Sequence, residues 1–307
     1  MLKYIVKRLL VGIVTLFILA TIVFFGVKAM PGNPFAKQDK FMSPEAYAAL
    51  ERKYGLDKPL TEQYVIYMNN VLHGDFGESI SKKGQTVADI IALRAPVTAK
   101  LGVIAFFISI GVGLLFGIIS ALTKKRWVNS LITTLATIGV SVPSFLLAML
   151  AMILFGVKLG WLPLVGLSSW KHYVLPSIAL SLSSISMITR LSRSSLRDVM
   201  NEDYITLARS KGTKELWVVI KHGLKNALIP VITYSGPMFA GLVTGSLVIE
   251  TLFSVPGIGA EFTQSITNRD YTLVMGLTIF FGALVIVMNL VSDIVAAIVD
   301  PRIKLGK

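Results

Sequence analysis

Long runs without Asp, Glu, Lys or Arg dominate the pattern of apolar and polar positions along the chain. The six longest runs cover 9–27, 101–123, 127–157, 173–189, 226–249 and 271–292. A helix that crosses the hydrocarbon core of a bilayer needs roughly 20 predominantly apolar residues. Strands of a membrane barrel would alternate polar and apolar positions, and these runs do not. The pattern predicts an all-α integral membrane protein with six transmembrane helices.

Two of the runs depart from a simple span. The run 127–157 has 31 residues, so we expect Pro143 to kink it and the segment 159–163 to leave the membrane. The fourth run carries several serines, which are tolerated when neighbouring helices satisfy their hydroxyl groups. We therefore expect this helix inside the bundle. Ser177, Ser181 and Ser184 share one helical face, which is either a packing surface or part of a polar pathway.

The first run, preceded by Lys3, Lys7 and Arg8, resembles a signal peptide in its charge pattern. Its apolar stretch exceeds the roughly 7–15 residues of a signal core, so we interpret it as an uncleaved anchor. Two pairs of glycines four residues apart, Gly113 with Gly117 and Gly241 with Gly245, predict places where helices approach closely.

Charge and composition add an orientation to this pattern. The chain has 307 residues, of which 54% are hydrophobic and 15% charged, with net charge +13. A soluble domain is nearer a quarter charged, so the composition is not that of an ordinary soluble globular protein. With the N-terminus inside, the inside segments carry net +11 and the outside segments net +2. Because basic residues stay on the cytoplasmic side, both termini are predicted to be cytoplasmic, and the charge reports topology, not a nucleic-acid partner.

Four regions follow from these spans: an N-terminal transmembrane helix at 1–30, an extracytoplasmic helical insert at 31–97, a five-helix core at 98–300 and a cytoplasmic tail at 301–307. In the insert, Ser43 and Pro44 indicate a helix start and Gly55 its end. A second helix is expected at 60–72. The insert is either a cap packed on the bundle or a docking surface for an external partner, and the two are compatible.

The loop at 190–225 is the largest predicted cytoplasmic loop. Arg190, Arg193 and Arg197 lie on one helical face, which predicts that the fourth span continues about two turns into the cytoplasm. A short amphipathic helix, a stop at Gly212 and a second amphipathic helix follow. Leu216, Val219 and Ile220 form an apolar stripe at i, i+3 and i+4. The loop either lies on the membrane surface or grips a cytoplasmic partner.

The chain lacks the residue patterns of a motor or a catalyst. It has no cysteine, no phosphate-binding G-x-x-x-x-G-K-[ST], no H-E-x-x-H and no G-x-S-x-G. We predict no catalytic residue and no metal site. Its spans also lack central ionisable residues, which ion-coupled carriers usually keep. Asp293 lies near a helix end, where pairing with Arg190 or Arg193 is expected. Any energy input should therefore come from another subunit.

Several motifs, in this order, resemble bacterial ABC importer permeases of the oligopeptide/dipeptide/nickel branch, and specifically its first permease chain. They are KRL at 7–9, PGNP at 31–34, YGLDKPL at 54–60, GDFG at 74–77, LGWLP at 159–163, ETLFSVPGIG at 250–259 and DPR at 300–302. The resemblance covers essentially the whole chain. In the general permease pattern, E-A-A, three residues, Gly, nine residues and I-x-L-P, only Ala208, Gly212 and Leu224 match here.

The resemblance implies a type I ABC importer permease fold and a set of partners. These are a second homologous permease, two cytoplasmic ATPase subunits that bind ATP and Mg, an extracytoplasmic substrate-binding protein and the lipid bilayer of a bacterial cytoplasmic (inner) membrane. The chain itself would be a multi-pass protein without a cofactor or an enzymatic activity. The implied function is import of oligopeptides or dipeptides by alternating access. Nickel-chelate or glutathione import is the alternative on the same scaffold.

The resemblance also assigns residues. The predicted ATPase-coupling residues are Ala208, Arg209, Lys211, Gly212, Leu216, Val219, Ile220 and Leu224. The predicted outer gate, or contact with the binding protein, comprises Glu250, Pro256, Gly257 and Gly259. A secondary carrier is a hypothesis of a different class, and it predicts midplane charges and an internal repeat, neither of which is evident.

Overall fold

The computed structural model describes residues 2–30, 34–35 and 43–299, so PGNP and DPR and the tail at 301–307 lie wholly or largely outside the described residues. Within these ranges the chain is helical, with one isolated bridge between Glu78 and Thr86. The helices are α1 (Leu2–Lys28), α2 (Pro44–Lys53), α3 (Leu60–Leu72), α4 (Val87–Leu122), α5 (Arg126–Ser141), α6 (Ser144–Ala151), α7 (Lys171–Met200), α8 (Asp203–Ser210), α9 (Glu215–Trp217), α10 (Leu224–Ala227), α11 (Ile229–Val243), α12 (Leu247–Leu252), α13 (Ile258–Thr267) and α14 (Tyr271–Val299). Segments Met152–Lys158 and Val218–Gly223 are π-helical.

Four of these helices, α1, α4, α7 and α14, are long and apolar enough to cross a membrane, and two bent pairs bring the number to six if each pair is one span. One bent pair turns by 109° between Ser141 and Ser144, around the predicted Pro143. Proline forces the preceding residue out of the helical region, and Val142 is extended at φ −90° and ψ 130°. The expected kink is therefore a break between α5 and α6. The second pair, the segment Glu215–Ala227 and α11, bends by 51°.

Helices α4 and α7 form the centre of the bundle, and glycines on α4 bring them together. A Cβ atom built on Gly113 would lie 2.6 Å from Ile188 Cβ, and one on Gly117 would lie 1.8 Å from Ser192 Oγ. The close approach predicted from the first glycine spacing is thus confirmed. The second spacing does not act as a pair, since Gly241 has open space around it, whereas Gly245 lies beyond the end of α11 and would place a Cβ atom 2.5 Å from Thr98 of α4.

Replacement of Gly117 by alanine should destabilise the bundle, whereas the same change at Gly111 should not. Both glycines lie on α4, but Gly111 has no atom within 4 Å of a built Cβ. Overpacking a tight contact costs about 1–3 kcal/mol, whereas Gly→Ala in an open helical position gains roughly 0.5–1 kcal/mol. The apparent melting temperature of each variant in detergent is the measurement. Equal melting temperatures for the two variants would contradict the close packing.

The insert packs on the bundle as a cap. Phe24 and Val27 of α1, Val274 and Met275 of α14, and Ile80 of the insert share one buried apolar cluster. Glu261 forms ion pairs with Lys82 and Arg94. The buried Asp270 accepts hydrogen bonds from Ser79 and Ser81. These contacts tie the insert to α13 and to the start of α14. We call this end of the bundle the insert end and the opposite end the loop end.

Helix α4 begins at Val87, earlier than the span predicted from 101, because Thr86 and Asp89 form a capping box. At the loop end, the predicted pairing of Asp293 with Arg190 or Arg193 is wrong. Asp293 instead pairs with Arg8 at 2.9 Å and accepts a hydrogen bond from Tyr4 at 2.7 Å. Helices α1 and α14 lie side by side, so the cation comes from the N-terminal helix and not from α7.

Candidate functional site

The connection between α7 and α11 forms a compact helical loop. Helix α7 continues to Met200, past the apolar run, so the predicted extension into the loop is confirmed. Helix α8 then ends at Ser210, and the chain reverses at Gly212 with φ +77°. This is the left-handed region that favours glycine. A built Cβ on Gly212 would meet no atom within 4 Å, so its backbone conformation, not space, requires glycine. The predicted stop is confirmed.

The loop has its own small core and an external clamp. Ile205, Ala208 and Val218 are buried together, with Met200 packed against them. Across the Gly212 turn, Arg209 donates two hydrogen bonds to the Glu215 carboxylate, at 2.8 and 3.1 Å. The buried core joins α8 to the segment after the turn, and the exposed Arg209–Glu215 pair adds a smaller contribution.

The structure divides the predicted coupling residues into two groups. Leu216 and Ile220 are 68% and 48% exposed, and Arg209, Lys211 and Gly212 are also exposed. Ala208 and Val219 are buried, and Leu224 is half-buried.

The predicted apolar stripe is therefore wrong at Val219. Residues 218–223 are π-helical, with bonds from i to i+5, so the i, i+3, i+4 spacing of a regular α-helix does not hold there. Besides Tyr204, whose hydroxyl accepts a hydrogen bond from Asn226, the exposed apolar side chains of the loop are Leu216 and Ile220 together with Trp217 and Leu207, each 56% exposed. We call these four residues the coupling patch. Leu207 and Trp217 were missed because each falls outside the spacing that defined the stripe.

The three predicted loop arginines line a small cavity of about 210 Å³ with Ser194 and Asp198. Arg190 and Arg197 each reach a main-chain oxygen of a neighbouring helix, Ala136 and Ser120, at 3.5 Å. The arginines thus connect α7 to α5 and α4 at the loop end.

At the insert end, the predicted outer-gate residues surround a buried carboxylate. Glu250 on α12 is fully buried. Its Oε1 accepts a hydrogen bond from the Thr98 hydroxyl at 2.9 Å, and its Oε2 accepts one from the Ala260 N–H at 2.9 Å. The Thr98 oxygen in turn accepts from the Ile258 N–H at 2.8 Å. We call Glu250, Thr98 and the 257–260 backbone the glutamate turn.

Glycines make room for this carboxylate. Built Cβ atoms on Gly245 and Gly257 would lie 2.3 and 2.4 Å from the Glu250 oxygens, and one on Gly259 would lie 3.1 Å away. Burial raises the pKa of Glu250, although the hydrogen bonds from Ala260, Thr98 and Gly259 oppose that effect. The structure brings Glu250, Gly257 and Gly259 together with Thr98 and Gly245, two residues that the sequence pattern did not identify.

Pro256 is exposed beside the glutamate turn, and its main-chain oxygen lies 3.4 Å from Arg94 Nη1. The serine face of α7 lies inside the bundle, since Ser177, Ser181 and Ser184 are all buried. Ser181 donates to the Ile178 main-chain oxygen at 2.8 Å. These positions favour the packing interpretation over the pathway interpretation. The described residues contain no group of three or more side chains that could hold a metal ion.

Comparison with known proteins adds the family. Residues 113–305 match the family described as binding-protein-dependent transport system inner membrane component, and residues 1–102 match its N-terminal family. The chain is 42% identical over 305 residues to the dipeptide permease DppB of Lactococcus lactis, with 99% of this chain and 100% of that protein covered. It is 43% identical to the oligopeptide permease OppB of Escherichia coli at the same coverage.

A third relative is the glutathione permease GsiC of Escherichia coli, 41% identical over 308 residues, with 99% of each chain covered. Among solved structures, the methionine ABC transporter MetNI matches with TM-score 0.55 at 18% identity, covering 68% of this chain and 96% of that one. An amino acid ABC transporter matches with TM-score 0.52 at 15% identity, covering 70% and 95%. These structures support the predicted type I importer fold. The chain therefore belongs to the family of binding-protein-dependent transport system inner membrane components, the permease subunits of ABC importers.

Proposed function

We propose that this chain is one of two permease subunits of an ATP-driven peptide importer in a bacterial inner membrane. The observation that carries the proposal is its full-length identity of 42–43% to dipeptide and oligopeptide permeases. The partners are a second homologous permease, two cytoplasmic ATPases and an extracytoplasmic substrate-binding protein. ATP and Mg bind to the ATPases, and this chain supplies the path and the mechanical connection.

The loop end provides that connection. The coupling patch presents four exposed apolar side chains on a loop that has its own buried core and turns at Gly212. An apolar helix face can seat in a groove of a partner. Because the loop continues into α7 on one side and into α11 on the other, movement of the seated loop is transmitted to two membrane helices. Helix α7 packs against α4, so a movement of α7 would be passed to α4 and to the helices packed against it.

The insert end provides the substrate entrance. The glutamate turn joins α12 to α13 and is fixed to α4 through Thr98. The Glu261 ion pairs fix α13 to the insert. If an external binding protein moves the insert, the ion pairs to Glu261 would pass that movement to α13, which begins at the glutamate turn. We assign Glu250, Gly257 and Gly259 to the outer gate and Pro256 to its exposed rim.

Oligopeptides or dipeptides are the favoured substrates because the peptide permeases match along their whole length. Glutathione is the second candidate, since a glutathione permease is 41% identical over nearly all of the chain. Both candidates are short peptides in the chemical sense, and they differ in the γ-linkage and the thiol.

Replacement of Leu216 by aspartate should release the ATPases from the permease. It places a charge at the most exposed residue of the coupling patch, where burial against a partner would cost several kcal/mol. We expect cells with this variant to lose at least tenfold in uptake of labelled tri-alanine, and the purified variant to lose its ATPase subunits. Leu216→Met keeps the apolar surface and is the matched control.

Two results would contradict the proposal. Normal uptake by Leu216→Asp at equal membrane abundance would exclude the patch as the coupling contact. Unlabelled glutathione that competes with tri-alanine uptake better than unlabelled tri-alanine would replace peptide by glutathione as the substrate.

A further inference from the structure

A cavity of about 430 Å³ lies at the insert end, where α1, α3 and α14 meet. Its walls include Phe24 of α1, Ile66 and Tyr67 of α3, and Tyr271 and Met275 of α14. This volume is in the range of small-molecule sites, which combine apolar walls with a few polar groups. Neither the coupling patch nor the glutamate turn borders the cavity.

The cavity contains a cation without an anionic partner among the described residues. Lys28 is half-buried at the end of α1, and its Nζ donates to Gln63 Oε1 at 2.5 Å. The same ammonium lies 5.1 Å from the Tyr271 ring centroid and 5.8 Å from that of Phe24. A partly buried ammonium that is held only by an amide and two aromatic rings keeps the capacity to bind an anion.

Two further groups point to the same ligand chemistry. The Tyr67 hydroxyl is buried and makes no hydrogen bond in the described part of the chain. Arg52 lines the rim and forms no ion pair with any described residue. The other two rim lysines are neutralised, Lys53 by Glu78 and Lys58 by Glu62. Asp75 also lines the cavity, where it accepts a hydrogen bond from the Gly77 N–H. The lining thus has four basic and two acidic side chains, and the net positive charge together with the Tyr67 hydroxyl suits an anionic oxygen group.

The depth of the cavity indicates where the anion comes from. Phe24 and Met275 belong to two membrane-crossing helices. Tyr64 of α3 forms a hydrogen bond of 2.8 Å with Thr21 and stacks on Phe25. Thr21 is seven residues before Lys28, so it lies about 10 Å further into the membrane at 1.5 Å per residue.

Helix α3 therefore lies beside the end of α1, and its exposed apolar side chains include Val65 and Leu72, which share one helical face with the polar Glu62 and Asn69. Interfacial helices bury apolar side chains at the level of the head groups and first acyl carbons, with polar side chains beside them. On this placement, the cavity beside α3 opens at the level of the lipid phosphates.

We propose that this cavity binds the head group of an anionic phospholipid from the leaflet at the insert end. Lys28 and Arg52 hold the phosphate, Tyr67 donates a hydrogen bond to one of its oxygens, and the acyl chains leave along the apolar faces of α1 and α3. A lipid held there connects α3 of the insert to α1 and α14.

The test is native mass spectrometry of the full-length protein, purified with its accompanying subunits and titrated with dioctanoyl phosphatidylglycerol. We expect one lipid to bind more tightly than the rest. Because a hydrogen bond to a charged group contributes more than a neutral one, Lys28→Met should weaken that binding roughly tenfold. Tyr67→Phe should weaken it a few-fold. Lys158→Met is the matched control, since Lys158 ends another membrane helix but is exposed and lies outside the cavity.

Three outcomes would overturn the proposal. One is equal lipid affinity of the wild type and Lys28→Met. Another is equally tight binding of dioctanoyl phosphatidylcholine, whose zwitterionic head group carries no net charge. The third is displacement of the tight lipid by tri-alanine from the wild type, which would assign the site to peptide carboxylates instead.

Discussion

We expect Gly212→Val to reduce uptake of labelled tri-alanine at least tenfold while the chain still inserts in the membrane. Gly212 has φ +77°, and a left-handed conformation costs a residue with a Cβ about 1–2 kcal/mol, with β-branched residues affected most. The chain would relieve this strain by changing the turn between α8 and α9. That change separates Arg209 from Glu215 and moves the coupling patch away from the position in which we propose that it contacts the ATPase.

Gly212→Asn is the matched control, because asparagine adopts the left-handed region more readily than other residues with a Cβ. Space does not distinguish the two variants, since nothing lies within 4 Å of a built Cβ. Uptake is measured at equal membrane abundance, together with ATP hydrolysis by the purified assembly. Valine and asparagine variants with the same uptake would show that the turn's conformation does not matter for coupling.

The sequence was sufficient for features that local chemistry decides. Long apolar runs identified the membrane helices, because a lipid-exposed backbone must satisfy its hydrogen bonds within the helix. Pro143 and Gly212 identified a break and a turn, because each restricts or frees the backbone at its own position. The turn at Gly212 and the interruption of the helix at Pro143 could therefore be predicted without knowledge of the rest of the fold.

Features that depend on distant neighbours were not predictable in the same way. The partner of Asp293 is Arg8, which is 285 positions away and comes close only when α1 packs beside α14. Val219 turns inward because the local helix is π-helical, which the apolar spacing does not reveal. The buried Glu250 accepts a hydrogen bond from Thr98, which is 152 positions away along the chain. In each case, the deciding contact lies between segments whose relative placement only the folded bundle defines.

Replacement of Glu250 by alanine should strongly destabilise the insert end. The Ala260 N–H and the Thr98 hydroxyl would lose their acceptor, and each unsatisfied buried group costs about 1–3 kcal/mol. A cavity between Gly245, Gly257 and Gly259 would add to this cost. We expect a lower melting temperature and loss of uptake. Glu250→Gln keeps the volume and an acceptor oxygen, so it should retain the fold and most of the uptake.

The glutamine variant also tests how the carboxylate is held. Burial raises the pKa of Glu250 above its ordinary value of 4.5, so the folded state binds this proton more tightly than the unfolded state. Its contribution to stability is then fully present below about pH 4.5 and decreases as the pH rises through the folded-state value. Glutamine cannot titrate, so the melting temperature of Glu250→Gln relative to the wild type should rise as the pH increases from 4.5. A difference that falls with pH would mean that the hydrogen bonds from Ala260, Thr98 and Gly259 outweigh burial. The glutamate turn would then be a site that prefers the ionised carboxylate.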